Sequence, residues 1–360
     1  MPRARALSPP DVPFEPELIE GIPAPKIQRL LFGHGDIERS FLDAYRSGRM
    51  HHAWLLTGRR GIGKATFAFR AAKFLLANGD PSLPAVQSAE TLELSDDNPT
   101  ERKVLSGGHG QLLHMTRDWD FDRKRFKQDL TVDVIRKTTR FFGSTASEGG
   151  WRIAIVDAAD DMNASSANAL LKILEEPPQR SIFFVLAHVP GRLLPTIRSR
   201  CRVLPFRPLS EADLRLAISS LTQDFVDDDR LAVAIDLASG SVRQVLDLLL
   251  GSGLSVVERV DTQFNAKTQQ PLAIHALADQ MGRGTGDEVF AVFCLRLRAL
   301  LQQTARDLAR SQETAHLAVR YADAVQKIDA EINTTEAYNL DRRQLVLSVF
   351  RTLAALKGKA

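Results

Sequence analysis

The chain has 360 residues, of which 44% are hydrophobic and 25% charged, a composition typical of globular proteins with a sizeable core. Its longest apolar runs, such as IFFVLA at 182–187, are far shorter than the roughly 18 residues that a membrane-spanning helix needs, so no membrane span is predicted. With 47 basic and 44 acidic residues, the net charge of +3 does not by itself argue for direct nucleic-acid binding.

The N-terminal residues 1–24 are rich in proline and lack the apolar stretch of a signal peptide, which predicts a flexible arm. The two cysteines, Cys201 and Cys294, lie far apart in the sequence. This usage fits a reducing compartment and offers neither a disulfide framework nor a zinc site. We therefore expect a cytoplasmic protein.

Four short segments are rich in β-branched and other apolar residues, and helix-period stretches lie between or beside them. They are AWLLTG (53–58), QLLHMT (111–116), RIAIVDA (152–158) and SIFFVLA (181–187). Apolar strands that alternate with helices indicate a parallel sheet covered on both faces, the arrangement of an α/β domain. A fifth candidate strand, RVLPFRP at 202–208, is predicted at the sheet edge because Pro205 cannot donate a hydrogen bond to a neighbour.

The rest of the chain is predicted to be helical. One helix is expected from Gly63 to Ala77 and another from about Val132, whereas residues 79–109, rich in Pro, Ser, Asp and Gly, are expected to form a long loop or mobile insertion. After Pro208 no strand pattern remains. We therefore predict an α/β domain at 25–208, a small helical lid domain at 209–252 and a helical C-terminal domain at 253–360.

The stretch TGRRGIGKAT at 57–66 follows a predicted strand and precedes a predicted helix. It has the spacing G-x-x-x-x-G-K of a phosphate-binding loop. Gly58, Gly61 and Gly63 allow a tight turn whose backbone N–H groups bind an anion at the helix N-terminus. Lys64 is placed to reach the terminal phosphates of a nucleotide. The sequence therefore predicts a phosphate site here.

Two residues that ATP hydrolysis needs are missing. The serine or threonine that normally binds Mg²⁺ after the lysine is Ala65, and Thr66 lies about 100° further round the helix, where it is a candidate nucleotide contact but a poor replacement ligand. Asp157 ends the strand IAIV and occupies the position of the second Mg²⁺ ligand. In active versions of this motif a glutamate follows the aspartate and orients the attacking water, and here that position is Ala158.

The most specific stretch is NALLKILEEPP at 168–178, followed by RSRC at 198–201. Together these segments resemble the clamp-loader branch of the AAA+ ATPases. The defective phosphate loop, Ala158 and the intact GRLLPTIRSRC at 191–201 are similar, within that branch, to the delta-prime subunits of bacterial DNA polymerase III. The resemblance covers about Pro25 to Gly251 and fades in the last block of the chain.

The resemblance implies roles for individual residues. Arg200 would be an arginine finger that acts in trans on ATP bound by a neighbouring subunit, and Arg243 would be the sensor arginine that contacts nucleotide from the second domain. Ala187 or His188 stands where active relatives carry a hydroxyl at the first sensor position. Cys201 is expected to pack as a small buried residue without redox function.

The resemblance also implies partners. Clamp-loader subunits form a pentameric ring with a helical collar, so the expected partners are gamma/tau ATPase subunits and the delta subunit. The sliding clamp and primed DNA would be contacted through the complex, and no membrane partner is expected.

The basic run Arg123, Lys124, Arg125 and Lys127 is interpreted as a solvated face.

No cofactor is required by this interpretation, although ATP or ADP can bind at the loop without turnover. No metal is expected, because residues 79–109 contain no cysteine for the four-cysteine zinc module of many relatives. The alternative function is a self-sufficient AAA+ ATPase of the gamma/tau type. A third, a small-molecule P-loop kinase, is disfavoured by the helical last third of the chain.

Overall fold

The computed structural model describes residues 18–95, 97–143, 150–222, 227–281, 286–338 and 340–357. Most of the predicted N-terminal arm, residues 1–17, lies outside this range. The chain divides into two compact units, one of Met1–Asp224 with Gly240–Val242 and the other of Phe225–Ser239 with Arg243–Ala360. The predicted boundaries between three domains stay a prediction.

The first unit is built on a parallel sheet with the order β2-β5-β6-β1-β7. In chain order the strands are β1 (Ala53–Thr57), β2 (Leu112–Met115), β3 (Trp119–Asp120), β4 (Arg125–Phe126), β5 (Arg152–Val156), β6 (Ser181–Ala187) and β7 (Arg202–Pro205). The predicted five-stranded α/β architecture is confirmed for the described residues, including the edge position of β7. The antiparallel pair β3–β4 was not predicted, because strands of two residues are too short to show alternation.

Helices cover both faces of this sheet. They are α1 (Gly35–Arg46), α2 (Lys64–Ala77), α3 (Pro84–Gln87), α4 (Pro99–Leu105), α5 (Val132–Gly143), α6 (Ala164–Glu175), α7 (Pro195–Ser199) and α8 (Glu211–Leu221). Helix α8 begins after Ser210, whose hydroxyl caps it by accepting a hydrogen bond from the Asp213 N–H at 3.1 Å.

The prediction of a long loop at 79–109 is wrong, because α3 and α4 lie within it. Both helices carry a proline at their first turn, where the missing N–H costs nothing, so these prolines mark helix starts. A buried ion pair between Lys73 Nζ and Glu101 Oε1, 2.6 Å apart, fastens α4 to α2.

Side chains of the central strands alternate between two buried clusters, as the two-residue period of a strand requires. Trp54 and Leu56 of β1 face the cluster formed with α1 and α2, whereas Ala53 and Leu55 face the cluster formed with α5, α6 and α7. Because both faces are covered, β6 is buried along its whole length. The sheet is therefore a rigid platform for the loops at its ends.

The second unit is helical in its described residues. Its helices are α9 (Asp228–Ala238), α10 (Val242–Leu250), α11 (Gly253–Asn265), α12 (Pro271–Gln280), α13 (Gly286–Ala309), α14 (Ala315–Ala337) and α15 (Arg342–Lys357). Phe293 of α13 and Phe350 of α15 are buried at its centre, with ring centroids 6.2 Å apart. Among the described helices, none is both long enough and apolar enough to span a bilayer.

Candidate functional site

The predicted phosphate loop lies at the carboxyl end of β1, between β6 and β7. The chain leaves β1 for the far edge of the sheet at β2 and later returns to its other side at β7, so this is where the strand order reverses. Ligands of open α/β sheets bind at such positions. The phosphate loop therefore lies at a position of the sheet that is typical of ligand sites.

Three glycines shape the loop. Gly58, Gly61 and Gly63 have φ angles of 138°, 74° and 103°, which L side chains rarely adopt. Helix α2 begins at Lys64, directly after Gly63, and has no side-chain cap. Its first-turn N–H groups and the loop amides are donors of the kind that bind an anion at a helix N-terminus.

Lys64 is buried and bends back over the loop. Its Nζ donates hydrogen bonds to the carbonyl oxygens of Gly58 and Arg59, each at 2.6 Å. The ammonium group thereby lies within the loop and close to the carboxylate of Asp157. Thr66, on the first turn of α2, is half-buried.

Two side chains that sequence reasoning missed hold the loop from outside. Nε2 of His34 forms a 2.8 Å hydrogen bond with the carbonyl oxygen of Ile62, and the Ser241 hydroxyl donates to the carbonyl oxygen of Arg60, also at 2.8 Å. Burial lowers the pKa of His34 below its ordinary value, although the bond to Ile62 opposes this shift. The neutral ring with a proton on Nε2 is the form that donates to a carbonyl.

Asp157 directly follows β5, so it also lies at the carboxyl ends of the strands. His114 Nε2 lies 3.7 Å from its Oδ2, and His188 and Lys64 are close enough to act on its charge. Burial raises the pKa of this carboxyl, but the neighbouring His114, His188 and Lys64 lower it by more, so the net pKa is below the ordinary value. Asp157 is therefore a carboxylate at neutral pH.

The loop offers donors to phosphates, whereas the usual protein ligands for magnesium are incomplete. Mg²⁺ in nucleotide sites is held by one or two protein oxygens together with phosphate oxygens and waters, and here Ala65 offers no oxygen while Asp157 lies beside His114. Ala158 is only 2% exposed and contributes no acid. Within the described part of the chain, no group of His, Cys, Asp and Glu residues has a metal-binding arrangement.

The acids after Asp157 have structural contacts. The Asp160 carboxylate accepts hydrogen bonds from the backbone N–H groups of His188 and Val189, both at 3.0 Å. Asp161 pairs with Arg117 at 3.2 Å. Asp160 therefore ties the ends of β5 and β6 together, and Asp161 links the same turn to the chain after β2.

Arg200 lies near the amino ends of the sheet strands, whereas the phosphate loop lies at their carboxyl ends. It precedes the amino end of β7, whereas Gly58 follows the carboxyl end of β1, and the two strands run parallel with Trp54 beside Arg202 and Thr57 beside Pro205. At a rise of about 3.3 Å per residue, this paired stretch alone is roughly 10 Å long. Arg200 is therefore well separated from the phosphate loop of its own chain.

Arg200 has two contacts within the chain. Its Nη2 lies 2.6 Å from Glu175 Oε1, and its Nη1 donates to the carbonyl oxygen of Thr196 at 3.0 Å. The side chain remains 36% exposed. Its neighbour Cys201 is buried, as expected, and burial raises the pKa of the thiol to about 12, so no reactive thiolate forms.

The remaining sequence candidates lie elsewhere. Arg243 belongs to the second unit, where its Nε donates to Asp247 Oδ1 at 2.7 Å. His51 and His52 stack with ring centroids 4.5 Å apart. The structure thus brings the loop glycines, Lys64 and Asp157 together and sets Arg200 apart from them.

Comparison with known proteins identifies the family. Residues 33–210 match the family model described as DNA polymerase III, delta subunit. DNA polymerase III subunit delta' of Escherichia coli is 29% identical over 58% of this chain and 57% of its own length, and the Pseudomonas aeruginosa subunit delta' is 33% identical over 42% of this chain and 41% of its own length. These matches assign residues 33–210 to the delta-prime clamp-loader family.

A gamma subunit is also similar to this chain. DNA polymerase III subunit gamma of Buchnera aphidicola is 31% identical over 62% of this chain and 58% of its own length. The chain thus spans about half the length of the curated relatives it matches. Since delta-prime and gamma subunits both match, similarity supports a clamp-loader role and leaves hydrolysis to be argued from the site.

Proposed function

We propose that this chain is a clamp-loader subunit that does not hydrolyse ATP itself and supplies Arg200 in trans to ATP bound by a neighbouring ATPase subunit. The reaction would occur while the ring loads the sliding clamp onto primed DNA during chromosome replication. The observation that carries the proposal is the position of Arg200 at the amino ends of the sheet strands, opposite to the chain's own phosphate loop at the carboxyl ends.

The composition of the loop supports the absence of turnover. Ala65 and Ala158 replace the Mg²⁺ ligand and the water-orienting acid, and His114 lies beside the carboxylate that would complete the metal shell. Phosphates still fit the amides of the glycine loop and Lys64. We infer that ATP or ADP binds here without being cleaved and acts as a structural ligand, with Thr66 as a further candidate contact.

The proposed partners are those that the resemblance implies. A finger in trans requires a neighbour with an intact nucleotide site, and we propose that gamma/tau-type subunits supply it. We propose that the ring also contains a delta subunit, that the helical second unit contributes to the collar, and that the complex works in the cytoplasm.

The proposal is tested by reconstituting the complete ring and measuring steady-state ATP hydrolysis with Arg200→Ala. An arginine finger contributes about 10³-fold or more to the rate, so the site next to this chain should lose essentially all of its turnover. Arg215→Ala is the matched control, because Arg215 is 37% exposed and pairs with Glu211 at 3.0 Å on the same unit. Equal ring rates for the two variants would contradict the proposal.

The gamma/tau-type motor is tested on the purified chain. A motor would hydrolyse ATP by itself in a magnesium-dependent way, and Lys64→Ala would abolish that rate. We expect no magnesium-dependent turnover from the isolated chain.

A further inference from the structure

Glu175, the last residue of α6, orients the guanidinium of Arg200. The Oε1–Nη2 distance is 2.6 Å, and the Thr196 carbonyl oxygen accepts a second hydrogen bond from Nη1 at 3.0 Å. A guanidinium has five N–H donors in one rigid plane. Two acceptors on different helices therefore fix the direction of that plane and leave other donors for a ligand.

The backbone is anchored on both sides of this ion pair. Leu174, next to Glu175, shares one buried apolar cluster with Ile197 and Cys201, which flank Arg200 in sequence. The end of α6 is also held by a 3.1 Å hydrogen bond between His52 Nε2 and the Leu174 carbonyl oxygen. Side chains on anchored backbones can be placed more precisely than side chains on loops.

The ion pair itself lies at the surface. The side chains of Arg200 and Glu175 are 36% and 42% exposed, so the pair adds little to the stability of the fold and stays accessible to a neighbouring subunit. Glu176, the following residue, is also exposed, and among the described residues it has no ion pair with Arg200. One of two adjacent glutamates is thus selected by geometry.

We propose that Glu175 is a positioning residue for the Arg200 finger. Together with the Thr196 carbonyl oxygen, its carboxylate holds the guanidinium so that the remaining N–H donors face the phosphates of a nucleotide bound by the adjacent subunit. Glu175 does not contact the nucleotide, and it acts by removing side-chain freedom that Arg200 would otherwise lose at the transition state. This inference rests on the proposed role of Arg200 in trans.

The test uses a complete ring whose ATPase subunits carry alanine at their own finger arginines, so that only the site facing this chain turns over. Glu175→Gln keeps an oxygen acceptor and removes the charge, and Glu175→Ala removes both. For an exposed pair we expect kcat to fall roughly two- to five-fold with Glu175→Gln, and further with Glu175→Ala, while KM for ATP changes little. Glu176→Gln, which removes the adjacent charge, should leave kcat unchanged.

The same variants in an Arg200→Ala background separate positioning from folding. If Glu175 acts through Arg200, Glu175→Ala causes no further loss there, whereas a general structural defect lowers the rate in both backgrounds and overturns the inference. An unchanged or faster rate for Glu175→Ala with Arg200 present would also overturn it. If Arg200→Ala itself has no effect, the proposed function fails instead.

Discussion

Lys64 and Arg200 lie at opposite ends of the strands of one parallel sheet, Lys64 at the carboxyl ends and Arg200 at the amino ends. Lys64 starts the helix after the carboxyl end of β1, and Arg200 precedes the amino end of β7, which pairs with β1 in parallel. The two basic groups cannot serve the same phosphate. One chain therefore presents a phosphate-binding loop at the carboxyl ends of its strands and a candidate arginine finger at their amino ends.

Restoring the missing hydrolysis residues should give little activity and should destabilise the fold. Ala158 is 2% exposed, so Ala158→Glu forces a carboxylate into a packed position and should lower the free energy of unfolding by about 2 kcal/mol or more. We expect Ala65→Ser with Ala158→Glu to show weak ATP hydrolysis at most, since the first sensor hydroxyl is also absent. Urea unfolding and ATP turnover check both outcomes, and Ala65→Ser alone is the control that should keep near-normal stability.

Gly58→Ala should disrupt the loop itself. A Cβ at Gly58 would lie 2.6 Å from both Ile62 Cδ1 and the carbonyl oxygen of Phe206, at a φ of 138°. Gly48 is the matched control, because it also has a positive φ, 68°, but a Cβ there would meet nothing within 4 Å. We expect Gly58→Ala to cost about 1–3 kcal/mol more than Gly48→Ala in chemical unfolding. Equal costs would show that the loop relaxes freely.

Ser241→Ala should loosen the loop without unfolding the chain. It removes the hydrogen bond to the Arg60 carbonyl oxygen, a loss of about 0.5–1.5 kcal/mol. We expect faster amide hydrogen exchange at residues 58–63 and weaker nucleotide binding. Ser220→Ala is the control, because the Ser220 hydroxyl bonds only within its own helix, to Ala217, and its loss should leave exchange in the loop unchanged.

Stability should fall as the pH drops below about 6.5. Burial lowers the pKa of His34, His52 and His109 below their ordinary value of 6.5, so the folded protein binds fewer protons than the unfolded chain in this region. This contribution to stability is complete above pH 6.5 and is lost as the pH falls through that value towards the folded-state pKa values. Urea midpoints measured from pH 8 to pH 5.5 check this.

His34→Gln tests the contribution of His34 to that dependence. Its amide can still donate to Ile62 but does not titrate, so we expect a smaller slope of stability against pH than in the wild type. Wild-type midpoints that stay constant down to pH 5.5 would contradict the assignment of buried neutral histidines.

The sequence predicted the elements whose signals are local. The strands, the helix after the phosphate loop and the edge position of the strand containing Pro205 depend on apolar runs, glycines and a proline that are visible within short windows. Helices α3 and α4 were missed because their prolines mark helix starts and were read as signs of a loop.

The site was predicted only as far as its motifs extend. Gly58, Lys64 and Asp157 have a recognisable spacing, but His34 and Ser241 reach the loop from positions 28 and 181 residues away from their partners. Glu175 lies within a recognisable motif, yet nothing in the spacing shows that it contacts Arg200 rather than solvent. Long-range contacts of this kind follow from the packing of the sheet and its helices.

The most direct test of catalysis in trans is the binding of a transition-state analogue to the neighbouring site. In a ring whose ATPase subunits lack their own finger arginines, ADP with aluminium fluoride should be trapped at the site facing the wild-type chain and lost with Arg200→Ala, while ATP binding stays similar. Equal trapping of the analogue by the wild-type and Arg200→Ala rings would contradict the account.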